Sequence, residues 1–120
     1  MENPVQVTFR GILRSPALED YVRQRAAKLG TFFDRITGCH VTLEAPHQHH
    51  RHGRQYRVII DLKVPGGELV VGRTPDERSL HEDMYAAIDD AFDDAGRVLR
   101  DHVQKQRAKQ RGSQRSDAVG

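Results

Sequence analysis

Apolar and polar positions alternate in several stretches of the chain. In VQVTF, Val5, Val7 and Phe9 fall on one side and Gln6 and Thr8 on the other, the period of a half-buried strand. CHVTLEA repeats the pattern with Val41, Leu43 and Ala45 inward. YRVIIDLKV repeats it again with Tyr56, Val58, Ile60, Leu62 and Val64 on one face, and ELVVGR follows as a fourth strand. Between the third and fourth, VPGGEL predicts a tight hairpin: Pro65 presets one dihedral and Gly66 supplies a positive φ.

Two stretches carry a period of three and four instead. After Ser15 as cap and Pro16 at the first helical position, Leu18, Tyr21, Val22, Ala26, Leu29 and Phe33 form an apolar stripe. Gly30 is expected to end the regular part, with Phe32 and Phe33 packing the exit. The second helix opens with SLHE, where Ser79 and Glu82 have capping-box spacing. Its stripe is Tyr85, Ile88, Ala91, Phe92, Ala95 and Leu99, interrupted by Gly96, and the apolar pattern stops after Val103.

The element order is therefore β-α-β-β-β-α. A helix between the first two strands favours a parallel pair. One apolar sheet face and two apolar helix stripes predict an α+β fold: a two-layer sandwich, a four-stranded sheet with two helices on one face. The expected organisation is one domain over residues 1–103 and a basic, disordered tail over 104–120. No stretch approaches the roughly 20 apolar residues of a membrane helix. The opening MENPVQVTF has no signal-peptide pattern, and a lone cysteine, Cys39, precludes an internal disulfide. A cytoplasmic location is the expectation.

Charge adds a division that the net value of +2 hides. From Asp76 to Val103, nine acidic side chains face three basic ones, leaving the rest of the chain strongly basic. Arg23, Arg25 and Lys28 lie off the stripe of the first helix, and Arg97 and Arg100 off that of the last. Side by side, the helices would present one basic strip to phosphates. Asp93, Asp94 and Asp101 flank Arg97 at helical pairing distances, which staples the helix and occupies the arginine.

Catalytic constellations are missing. Cys39 and His40 are adjacent on a strand and point to opposite faces, so they form no dyad. PGGE is a turn rather than a phosphate loop. His47, His49, His50 and His52 crowd one polar loop, but their spacing matches no closed zinc site, so no metal or other cofactor is assigned. That loop's Arg51 and Arg54 are candidate additional RNA contacts.

The strings SPALEDYVRQRAAKLGTFFDRIT, VPGGELVV and HEDMYAAIDDAF resemble the ribosome hibernation promoting factor / ribosome-associated inhibitor A family, also called the sigma-54 modulation protein family, over about residues 5 to 103. The resemblance implies a β-α-β-β-β-α fold related to double-stranded-RNA-binding domains. It also implies a non-enzymatic factor without cofactor that binds the 30S ribosomal subunit and its 16S rRNA, idling translation in stationary phase or stress. No small-molecule substrate and no membrane partner are implied. The residues matching the family's basic positions are Arg25 and Lys28, with Arg23 adjacent, and Arg97, with Arg100 and Lys105 nearby. Asp94, Asp101 and Val103 stand where typical members carry lysine, and the loop from Pro46 to Arg54 is longer and richer in histidine than usual, marking a divergent branch. Residues 104–120 are too short for the ribosome-pairing domain of long members, so the resemblance is to the short form. Two alternatives stand beside this reading. One is a regulatory module whose acidic last helix meets a basic protein. The other is a metal-responsive protein using the histidine loop.

Overall fold

The computed structural model describes residues 5–45, 56–72 and 83–119, with side chains as far as 109. The strands are β1 (Val5–Arg10), β2 (Gly38–Glu44), β3 (Arg57–Val64) and β4 (Gly67–Val71); the helices are α1 (Pro16–Phe32) and α2 (Met84–Val119). The sheet order is β1-β2-β3-β4. β1 and β2 run parallel, as the intervening helix requires, and the other two pairings are antiparallel. At the β3–β4 turn Val64 pairs with Gly67, leaving Pro65 and Gly66 as the two turn residues, and Gly66 has φ +89°.

The core lies where the alternation placed it except at Ala45, expected inward, which is only half-buried while Cys39 at the other end of β2 is buried. Cys39, Val41 and Leu43 of β2 and Val58, Ile60, Leu62 and Val64 of β3 are buried. Val22, Ala26 and Leu29 of α1 and Ile88, Ala91, Phe92, Ala95 and Leu99 of α2 close over them. Burial pushes the Cys39 thiol up to about 11, and the charge of Asp61 adds to the effect. His40, its neighbour, turns to the other sheet face, where its Nε2 and Thr8 Oγ1 lie 2.7 Å apart and share a hydrogen. The two side chains are thus separated by the sheet, as period two demands.

Several details differ from the sequence expectation. α1 passes through Gly30, which is buried, and ends at Phe32. Phe33 packs against the core, whereas Phe32 is 73% exposed. Met84 and Ala87 extend the α2 stripe and are buried. Tyr85 lies outside that stripe and meets Tyr21 edge-to-face, ring centroids 5.0 Å apart. α2 starts at Met84, where the Asp83 carboxylate accepts from the Tyr85 amide as an N-cap. The capping box expected from Ser79 and Glu82 lies outside the described residues. Nor does α2 stop near Val103: it continues to Val119. QKQRAKQR is made of strong helix formers, which carry a helix past the end of its apolar stripe.

Candidate nucleic-acid interface

α1 and α2 pack side by side and run in the same direction. Three steps along both helices establish this: Tyr21 meets Tyr85 and Asp89, Arg25 meets Asp89 and Asp93, and Leu29 lies against Gly96. The side-by-side packing that a joint basic strip requires is present, and within it Arg25 meets Asp89 and Asp93.

The arrangement is nevertheless more neutralised than a basic strip. Arg25 is three-quarters buried; its Nη2 donates to Asp93 Oδ1 at 3.1 Å, and its Nε lies 3.7 Å from Asp89 Oδ1. Its guanidinium also stands 5.8 Å from the centre of the Phe92 ring. Arg25 therefore joins the two helices as well as facing outward. Arg23 is held by Glu19 and by the carbonyl of Val5. Arg97 pairs with Asp94 at 2.8 Å, the i,i+3 staple expected from spacing, and Lys105 pairs with Asp101 at 3.1 Å. Lys28 and Arg100 are exposed and have no such partner among the described residues. Arg51, Arg54 and the four loop histidines, His47, His49, His50 and His52, lie outside the described residues.

The electrostatics run along the helix axes. Glu19 and Asp20 sit in the first half of α1, and Asp89, Asp90, Asp93 and Asp94 in the first three turns of α2. Towards the other end come Lys28, Arg35, Arg100, Lys105 and Arg107. There the α1 exit, the Pro65–Gly66 turn and α2 enclose a groove of about 690 Å³, lined among others by Phe32, Arg35, Arg100 and Arg107. Sequence did not single out Arg35, and it placed Phe32 in the packing of the helix exit rather than at a site. A helix-exit aromatic reads as packing, and only the tertiary arrangement reveals that one of the two phenylalanines stays outside.

Tyr21 reports on the helix–helix seam. Its hydroxyl donates to Asp89 Oδ1 at 2.5 Å. That hydrogen bond, then burial and the Asp89 charge, hold its pKa above the ordinary value of 10.0. The raised folded value favours the protonated phenol, so this contact supports the fold below pH 10 and is lost as pH rises through the folded pKa. Ultraviolet titration is expected to find Tyr21 ionising above the ordinary value of 10.0, and Asp89→Asn is expected to lower it towards that value. Unchanged titration in the variant would remove Asp89 as the cause.

Comparison with known proteins decides the family. The model of the Sigma 54 modulation protein / S30EA ribosomal protein family matches residues 5–107. The chain belongs to this family. It is 35% identical over 109 residues to a Ribosome hibernation promoting factor of Pseudomonas putida, covering 91% of this chain and 95% of that one. It is 36% identical over 104 residues to the protein of that name from Azotobacter vinelandii, covering 85% and 84%. Among solved structures, a ribosomal subunit interface protein from Coxiella burnetii has the same fold, with a TM-score of 0.68 at 19% identity, covering 83% of this chain and 97% of that chain.

Proposed function

We propose that this chain is a non-enzymatic, cytoplasmic ribosome hibernation factor that binds the small ribosomal subunit through 16S rRNA and restrains translation under stress. The observation that carries the reading is its likeness to Ribosome hibernation promoting factors along 91% of its length. The relation to double-stranded-RNA-binding domains belongs to the same proposal, as does a division into a binding domain over 1–103 and a basic tail over 104–120.

Arg23, Arg25, Lys28, Arg97, Arg100 and Lys105 form the proposed RNA-contacting set, with Arg51 and Arg54 as additional contacts. They are not equivalent. Lys28 and Arg100 are ready to meet phosphate, whereas Arg23, Arg25, Arg97 and Lys105 must first exchange a carboxylate. Binding then depends on salt in two opposing ways, since salt weakens both the phosphate contacts and the internal pairs. The alternative in which the acidic helix captures a basic protein draws no support from the geometry: Asp89, Asp93, Asp94 and Asp101 are all engaged within the fold.

Co-sedimentation with 30S and 70S particles at low and physiological salt tests the reading. Retention on 30S at physiological salt is the expected result. Absence of retention at both salt concentrations would show that the fold has been kept without the site.

A further inference from the structure

We propose that the groove between the end of α1 and the middle of α2 is a subsite for one unpaired RNA nucleotide, with Phe32 as the stacking face and Arg35, Arg100 and Arg107 as its phosphate-side cations. The proposal rests on the reading of the chain as an RNA-contacting factor, and deepens it by naming the form of RNA recognised.

Phe32 is the first observation. It is 73% exposed although its neighbour Phe33 packs on the core, so the aromatic ring is presented to solvent at the mouth of the groove. An exposed ring offers a π-face on which any base can stack. The second is charge. The groove lining includes three arginines and a single acid, Asp34. None of Arg35, Arg100 and Arg107 has an ion-pair partner among the described residues, in contrast to the acid-paired bases along the helix seam. The third is size: about 690 Å³ is ample for a base and its ribose phosphate. A protein ligand would also accept an aromatic anchor, but three arginines without an ion-pair partner among the described residues, around one exposed ring, match a polyanion with unstacked bases. A paired duplex hides its base faces, so the subsite selects single-stranded RNA.

The chain has no tryptophan, so Phe32→Trp places a unique fluorophore on the proposed platform. Titration with a short single-stranded oligoadenylate at low salt is expected to quench it strongly, and a fully paired RNA duplex of the same length to quench it much less. Adding Arg100→Gln is expected to weaken the oligoadenylate titration. Separately, Phe32→Leu is expected to keep the wild-type thermal midpoint, because the ring is outside the core, and to weaken 30S retention about tenfold. No quenching by oligoadenylate in a variant that still binds 30S like wild type would overturn the nucleotide subsite while leaving the ribosome reading intact. Loss of 30S retention by Phe32→Leu without quenching would also overturn it, assigning the ring to a ribosomal protein. Failure of the wild-type chain to bind 30S counts against the broader function instead, and quenching under that circumstance would still support the subsite.

Discussion

Ile60→Ala is expected to remove about 2–5 kcal/mol of stability, read as a lower midpoint in urea unfolding with little change in slope. Ile60 is fully buried at the centre of β3, where Val41 of β2 and Val71 of β4 stand opposite it in register. Truncation there removes apolar burial and leaves a cavity that the paired strands cannot close, because their backbones are fixed by hydrogen bonds on both sides. A domain of this size has a total stability of about 5–15 kcal/mol, so the loss is a large share of it. Phe32→Ala removes a larger side chain from an exposed position and is expected to change the midpoint little. The contrast between the two is the test. An Ile60→Ala change below about 1 kcal/mol would mean that β3 does not form the centre of the core.

The same contrast marks what a linear reading of this chain can reach. Strand faces were legible because period two leaves only two choices, and burial of Val58, Ile60, Leu62 and Val64 follows the alternation without exception. The Pro65–Gly66 turn was legible because its dihedral demands restrict composition so strongly. Within one helix, spacing worked for Asp94–Arg97, whereas Asp101, expected to flank Arg97, pairs with Lys105 instead. Spacing failed wherever the partner sits on another element. Asp93 read as a partner of Arg97, yet it and Asp89 tie α2 to Arg25 and Tyr21 of α1, 68 residues away. No local period encodes that register; it appears only once the apolar stripes have docked the helices in parallel. Gly30 was misread for a related reason, since a glycine that ends an isolated helix is tolerated inside one when tertiary contacts bury it. The extension of α2 to Val119 has no apolar stripe to announce it.

The exposed bases outside those seam contacts carry the second large effect. Lys28→Glu together with Arg100→Glu is expected to weaken 30S binding by about a hundredfold at physiological salt and to flatten its salt dependence, since each lost phosphate contact removes about 0.7–0.9 from the slope of log affinity against log salt. Both side chains are exposed and outside the described ion pairs, so the substitutions leave the core alone and the thermal midpoint is expected to stay close to wild type. Asp93→Asn makes the complementary experiment. It removes the 3.1 Å partner of Arg25, which releases a cation towards RNA while loosening the helix seam. Binding to 30S is therefore expected to be equal or stronger, at the expense of a small fall in stability of about 1 kcal/mol or less. Opposite responses to the two changes would identify the aspartates as internal competitors of phosphate and the exposed bases Lys28 and Arg100 as part of the RNA face. If Asp93→Asn weakened binding as much as the double reversal did, the carboxylate would itself be a contact. The acidic helix, rather than the exposed bases, would then face the ribosome through a protein.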